Sequence, residues 1–251
     1  MWGQQAHEWA LLEERNSPLY DAVFDRLALS AGMRLLDVGC GTGVACQLAV
    51  QRGVEVDGLD ATLEALDIAR ARVPEGAFHV GDMEQLPFDT ASFEVVTGFN
   101  AFQFAANPVQ ALTEARRVVR PNGRVVIVVW GRPERNEAFL ARQRVINAFL
   151  PPPPPGAPGP LALSSEGVLA ALVREAGLTA LVQDTFVFQH VYADEEEAIR
   201  QSTAGGPAVR AMQIAGAEPV RRAIARTLTP YRQLDGTYRV EHEFTYLIAT
   251  A

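Results

Sequence analysis

The sequence predicts an α/β protein in which helices cover both faces of a doubly wound, parallel sheet. From Arg34 onward, short apolar runs alternate with segments that have helical spacing. The run at 124–130 is apolar at nearly every position, and runs of that kind, separated by helices, are expected for strands that are buried on both faces. Turn residues such as Pro121-Asn122-Gly123 separate the elements. The chain has 251 residues, which is enough for one large domain with a sizeable core.

The first half of the chain supplies five predicted strands and three predicted helices. Each strand is a short apolar run, and each helix has apolar residues at intervals of three and four. The strands are predicted at Arg34–Val38, Glu55–Asp60, 78–80, Phe93–Phe99 and 124–130, and the helices at 44–52, Leu63–Arg72 and 108–119.

The pattern changes after Trp130. A polar helix is predicted over 134–149, followed by residues 151–160, seven of which are proline. This stretch is either a stiff connector or one wall of a substrate pocket. A helix capped by Ser164 or Ser165 is then expected to run to Ala176. Two long β-runs, Thr179–Tyr192 and Tyr238–Thr250, flank a helical stretch over 195–232.

Composition excludes several classes of protein. The chain has 22 basic and 30 acidic residues, a net charge of −8, which argues against a nucleic-acid partner. Every basic residue is Arg, so mechanisms that need a lysine amine are excluded. Cys40 and Cys46 form neither a disulfide framework nor a zinc spacing. With no signal peptide and no apolar stretch of about 18 residues, we expect a cytoplasmic protein without a membrane span.

The most informative segment is the glycine loop, Gly39-Cys40-Gly41-Thr42-Gly43, which follows a buried strand and opens a helix. Glycine lets the backbone turn sharply and approach a ligand closely. A dinucleotide loop would have its third glycine at position 44, which is Val44, so an NAD-dependent enzyme fits poorly. The preceding Asp37 would repel a phosphate, whereas it suits an ammonium or sulfonium group.

Three carboxylates follow three successive strands. Asp37 and Asp60 end the first two, and Asp82 follows the third, next to Met83. Each acid taken singly is explained as a helix N-cap. Together with the glycine loop they indicate a ligand site at the carboxyl edge of the sheet, where Asp60 would accept the hydroxyls of a ribose.

The segment 34–130 resembles the class I S-adenosylmethionine-dependent methyltransferases, specifically their type 11 or ubiquinone/menaquinone-methyltransferase-like branch. The motifs that carry the resemblance are LLDVGCGTG (35–43), VDGLD (56–60), GDMEQLPFDTASFEVVTGFNAFQF (81–104) and EARRVVRPNGRVVIVVWG (114–131). Asn122 replaces the commoner first glycine of the last motif. The resemblance implies S-adenosylmethionine as cofactor and a seven-stranded sheet whose last strand is antiparallel, with inserted helices forming a substrate cap.

The resemblance also implies roles for individual residues. They are the glycine loop (Gly39, Gly41, Gly43) around the methionine part, Asp37 beneath it, Asp60 on the ribose with Ala61 beside the adenine, Asp82 and Met83 on the adenine, and Phe99 and Asn100 near the methyl group. Many relatives have a histidine within the stretch Phe102-Gln103-Phe104, and this chain has none there. We therefore name no catalytic base. His7, His190 and His242 are more simply explained as structural residues. Of the three, His190 is the first to consider as a base.

We expect one domain over residues 1–251. It comprises a lid segment at 1–33, a cofactor-binding core at 34–131, cap segments at 132–164 and 193–236, and remaining core at 165–192 and 237–251. The segment from Trp2 to Tyr20 is either a lid or an ordinary packing helix. The expected activity is methyl transfer to a small, largely apolar molecule. The alternatives are a non-catalytic protein that binds S-adenosylmethionine, or an RNA or protein methyltransferase.

Overall fold

The computed structural model describes residues 6–152 and 159–251, with no description of the side chains of residues 6–8. Trp2, the His7 side chain and most of the proline-rich stretch therefore lie outside the described residues. The strands form one seven-stranded sheet in the order β3-β2-β1-β4-β5-β7-β6. They are β1 Arg34–Val38, β2 Glu55–Asp60, β3 Ala77–Val80, β4 Phe93–Phe99, β5 Val119–Trp130, β6 Thr179–Tyr192 and β7 Tyr238–Thr250.

The predicted sheet is confirmed. Strands β1 to β5 pair in parallel, whereas β7 runs antiparallel to both β5 and β6. The helices of the described residues are α1 Ala6–Glu14, α2 Ser17–Leu27, α3 Val44–Val50, α4 Leu63–Arg72, α5 Pro108–Val118, α6 Glu137–Asn147, α7 Val168–Glu175, α8 Glu195–Ser202, α9 Gly206–Ala215 and α10 Ala217–Leu228. Two hydrophobic clusters fill the two faces of the sheet.

Several predicted boundaries are wrong. Strand β5 begins at Val119 rather than at 124. The predicted turn at 121–123 therefore lies within the strand, and Asn122 has a positive φ of 64° there. Helix α7 begins after Gly167 and has no serine cap. The Ser164 hydroxyl donates instead to the Trp130 carbonyl at 2.7 Å.

The predicted polar helix over 134–149 is interrupted by a buried asparagine. A short 3-10 helix at Pro133–Arg135 precedes α6, and Asn136 lies between them. The Asn136 amide donates to the Glu243 carbonyl at 3.0 Å, and its oxygen accepts from the Glu243 amide at 3.1 Å. These bonds attach the start of α6 to β7 and explain the break. The helical stretch at 195–232 is likewise divided, into α8, α9 and α10.

The β6–β7 ribbon extends beyond the carboxyl edge of the sheet. Trp130, the last residue of β5, pairs with Phe244, whereas β6 and β7 remain paired to Tyr192 and Tyr238. Helices α6, α8, α9 and α10 surround this extension with a third hydrophobic cluster that includes Tyr192 and Ile224. A separate apolar layer therefore lies beyond the carboxyl end of β5.

Candidate cofactor site

The glycine loop connects β1 to α3 in a conformation that requires glycine. Gly39, Gly41 and Gly43 have φ angles of 71°, 53° and 80°, a region that other residues rarely adopt. A Cβ on Gly39 would stand 2.6 Å from the Ala101 Cβ, closer than packing allows. The amides of Gly39 and Cys40 donate to the Leu59 carbonyl at 2.7 and 3.0 Å. The loop is thereby fixed against the end of β2.

Asp60 holds the loop by its side chain. One carboxylate oxygen accepts from the Gly41 amide at 3.0 Å, and the other accepts from the Thr62 amide at 2.8 Å. A carboxylate offers about four lone-pair sites, so both oxygens can still accept a bond from a ligand hydroxyl. Ala61 follows as an exposed residue. The position and remaining acceptor capacity of Asp60 suit the predicted contact with a ribose.

Asp37 is buried beneath the loop. It accepts a hydrogen bond of 2.7 Å from the Thr97 hydroxyl on β4. Burial raises the pKa of the Asp37 carboxyl to about 7; the Thr97 bond opposes this shift, and the charges of Glu13 and Asp60 add to it. Among the described residues Asp37 forms no ion pair, and a cationic ligand would stabilise its charged form.

Asp82 and Met83 lie farther along the same edge, beyond β3. Asp82 is exposed, and its carboxylate accepts from the Glu84 amide at 2.9 Å. Met83 is half-buried against the first hydrophobic cluster. The N-caps of helices α3 and α4 are Gly43 and Thr62, rather than Asp37 and Asp60. The structure thus brings Asp37 and Asp60 close enough for their charges to interact, whereas Asp82 lies exposed beyond β3.

Phe99 and Asn100 end β4 beside the loop. Phe99 packs against Tyr20 and Phe24 of α2, with ring centroids 4.6 and 5.7 Å apart. Asn100 has a positive φ of 53°, and its oxygen accepts from the Gln103 amide at 3.2 Å. Gln103 is fully buried, and its own oxygen has no hydrogen-bond partner among the described residues. The side-chain oxygen of Gln103 is therefore available to accept a hydrogen bond next to Asn100.

The structure adds a residue that the sequence reasoning missed. Glu13, on α1, is buried, and its Oε2 accepts from the Thr42 amide at 3.0 Å and from the Thr42 hydroxyl at 2.7 Å. Burial raises the pKa of Glu13 to about 7; Thr42 and the Arg72 charge oppose this shift, and Asp60 adds to it. Nothing in the sequence separates Glu13 from the neighbouring Glu14, because the contact joins segments 29 residues apart.

Two relatives and one solved structure show what this chain is similar to. Residues 36–127 match the family model described as a methyltransferase domain. An uncharacterized methyltransferase of Mycobacterium bovis is 37% identical over 123 residues, which are 49% of this chain and 50% of that protein. The chain thus spans about half the length of the first curated relatives it matches. The 27-O-demethylrifamycin SV methyltransferase of Amycolatopsis mediterranei is 30% identical over 194 residues, covering 71% of this chain and 68% of that protein. This chain belongs to the class I S-adenosylmethionine-dependent methyltransferase family.

The fold of this methyltransferase-family chain has a counterpart among solved structures. A proposed methyltransferase, solved in complex with the Haloferax volcanii Trm112 methyltransferase activator, superposes with a TM-score of 0.64 at 23% identity. The match covers all of this chain and 96% of that one. Within residues 6–152 and 159–251, no helix combines the length and apolar character needed to cross a bilayer.

The side chains at the loop fit the cofactor of the family. S-adenosylmethionine carries a sulfonium, an ammonium and one carboxylate, for a net charge of about +1. Asp37 and Glu13 are buried acids whose pKa values burial raises, and the charge of the Asp60 carboxylate adds to both shifts. Because an unpaired buried charge is costly, a cationic ligand suits this site better than a phosphate does.

Proposed function

We propose that this chain is an S-adenosylmethionine-dependent methyltransferase whose acceptor is a small, largely apolar molecule. The observation that carries the proposal is the combination of a glycine loop at positive φ with two buried acids, Asp37 and Glu13. This combination suits a ligand that needs close backbone approach and brings positive charge.

In this proposal, different residues bind different parts of the cofactor. Asp60 binds the ribose hydroxyls, and Asp82 and Met83 bind the adenine. The glycine loop and Asn100 surround the methionine part. S-adenosylmethionine, when bound, supplies a methyl group that its sulfonium already activates. The chain's own part is then to hold two reactants in line, and such orientation contributes about 7–11 kcal/mol to lowering a barrier.

The proposed acceptor lies between the cofactor edge and the cap. Trp130 is stacked between Phe139 of α6 and Phe244 of β7, with ring centroids 4.0 and 4.5 Å away. Phe188 continues this aromatic wall along β6, 5.6 Å from Phe244. The name of the rifamycin methyltransferase supports a small-molecule acceptor, and the aromatic wall supports an apolar one. In this proposal α1 and the cap helices exclude water from the reacting atoms.

Calorimetry with S-adenosylmethionine tests the cofactor assignment. Asp60→Ala is expected to weaken binding at least tenfold, since removing a hydrogen-bonded charged group costs about 1.5–3 kcal/mol. Asp67→Ala on the exposed face of α4 removes an acid that pairs with Arg70, and it serves as the control. Unchanged affinity in Asp60→Ala would refute the assignment.

A second measurement tests the reaction. Release of S-adenosylhomocysteine is followed while the protein is offered phenols, quinols and amines. Turnover with any of them supports the proposed activity. Tight cofactor binding with no turnover across the panel would favour a non-catalytic binding protein, and strong binding of tRNA or rRNA at about 150 mM salt would favour an RNA substrate.

A further inference from the structure

We propose that Glu13 is a cofactor ligand carried by the N-terminal helix α1, and that its carboxylate pairs with the ammonium group of the methionine part. This inference rests on the proposed function. It gives α1 a direct role in cofactor binding, whereas the sequence predicted either a lid or an ordinary packing helix.

The position of Glu13 is the first support. A Cβ built on Gly41 would stand 3.0 and 3.2 Å from the two carboxylate oxygens of Glu13. The carboxylate therefore lies directly over the middle glycine of the loop. Two hydrogen bonds from Thr42 converge on Oε2 and fix the side chain there. The same loop surrounds the methionine part of the cofactor in the proposed function.

The charges around Glu13 are the second support. Asp60 on β2 and Asp37 on β1 are both electrostatically coupled to Glu13. Arg72 of α4, whose charge opposes the raised pKa of Glu13, forms its ion pair of 2.9 Å with the neighbouring Glu14. The surroundings of the Glu13 carboxylate are thus acidic on the side of the sheet, and a cation placed there would be stabilised by three carboxylates.

The chemistry of the cofactor selects the ammonium. An ammonium has three N–H donors, whereas a sulfonium has none, and a carboxylate is an acceptor. Charge-assisted bonds of this kind are about twice as strong as neutral ones. The opposite possibility is that Glu13 occupies a site for the cofactor carboxylate, since the Thr42 donors suit any carboxylate. In that case Glu13 would compete with the cofactor.

Helix α1 also joins the core to the cap. Arg15, which directly follows α1, donates through its guanidinium to Glu197 of α8 at 2.5 Å and to the Val191 carbonyl of β6 at 2.6 Å. A cofactor that engages Glu13 would therefore hold α1 between the glycine loop and the cap.

The test compares ligands with and without the amino-acid end. Glu13→Gln keeps the size of the side chain and an oxygen that can accept from Thr42, and Glu14→Gln on the same helix is the matched control. Affinities are measured by calorimetry for S-adenosylmethionine, S-adenosylhomocysteine and 5′-methylthioadenosine, which lacks the ammonium and the carboxylate. We expect Glu13→Gln to weaken the first two by about tenfold and 5′-methylthioadenosine by less than about twofold. Glu14→Gln should change none of them by more than about twofold.

Each other outcome overturns the proposal. An equal loss for 5′-methylthioadenosine would mean that Glu13 only supports the loop, and a loss confined to S-adenosylmethionine would assign it to the sulfonium. Tighter binding of S-adenosylhomocysteine would mean competition with the cofactor carboxylate. If Glu13→Gln does not fold, Thr42→Val is used instead, because it removes the hydroxyl that orients Glu13. It should weaken S-adenosylmethionine and S-adenosylhomocysteine more than 5′-methylthioadenosine, by less than Glu13→Gln would. An equal loss of affinity for all three ligands would overturn the proposal. If the wild-type protein binds neither sulfur cofactor, the proposed function itself fails.

Discussion

Replacing Asp37 by Asn should stabilise the cofactor-free protein, and the gain should grow as the pH rises. Burial raises the pKa of Asp37 from 3.8 to about 7. A carboxyl with a raised folded-state pKa contributes stability that is present below about pH 4 and is lost as the pH rises through 7. Each pKa unit corresponds to about 1.4 kcal/mol, so ionisation of Asp37 costs on the order of 4 kcal/mol of folding free energy. Asn has no such cost and can still accept the bond from Thr97.

The assay is urea unfolding of both proteins between pH 4 and pH 8. The quantity to follow is the difference in unfolding free energy between Asp37→Asn and wild type. It should rise by about 1.4 kcal/mol per pH unit up to pH 7 and then level off. The difference is needed because burial lowers the pKa values of His190 and His242, and these histidines make stability rise with pH below about 6.5.

The groups that face Asp37 determine how sharp this profile is. They are Glu13 from α1, Asp60 from β2 and Cys46 from α3, in addition to the Thr97 hydroxyl from β4. Since the acids repel one another, their titrations are coupled and the rise spreads over more than one unit. A difference that stays constant from pH 4 to pH 8 would refute the burial argument, and one that falls would mean that the fold stabilises the Asp37 anion.

Two substitutions test the loop and the cap separately. Gly41→Val should abolish cofactor binding by calorimetry while the circular dichroism spectrum stays folded, because a branched side chain at φ 53° would collide with the Glu13 carboxylate; retained affinity would contradict the loop assignment. Asn136→Ala should lower the unfolding free energy by about 1–3 kcal/mol in urea, because it leaves the buried Glu243 amide without its partner, whereas the Glu243 carbonyl keeps its bond from the Gly131 amide. Its cofactor affinity should not change, and a large loss there would contradict the separation of cap and cofactor site.

The sheet could be predicted from the sequence because its signals are local. The strands are short runs of residues bounded by turns, and β2, β4, β6 and β7 begin and end where the predicted runs do. Boundaries failed where a distant partner decides the conformation. Asn136 breaks the polar helix because β7 lies beside it, and Ser164 bonds to Trp130 rather than capping α7. Such contacts join residues 107 and 34 positions apart and leave no periodic signal.

The candidate site, like the sheet, could be predicted where its signals are local in the sequence. Glycines and strand-end acids have fixed spacings, so Asp37, Asp60 and the loop could be placed before the structure was known. Glu13 could not, because its role depends on how α1 crosses the loop. Its neighbour Glu14, also acidic and on the same helix, instead pairs with Arg72, and its side chain is 49% exposed.

The acids of this site differ in what they need from a ligand. Asp60 already accepts two backbone amides, so its carboxylate is held in position before any ligand arrives. Asp37 and Glu13 have mainly hydroxyl partners, with a single amide to Glu13, and burial works against their charged forms. An apolar pair of the same volume would make the empty fold more stable. Two buried acids at one glycine loop are therefore better explained by a cationic ligand that the loop holds than by the stability of the fold.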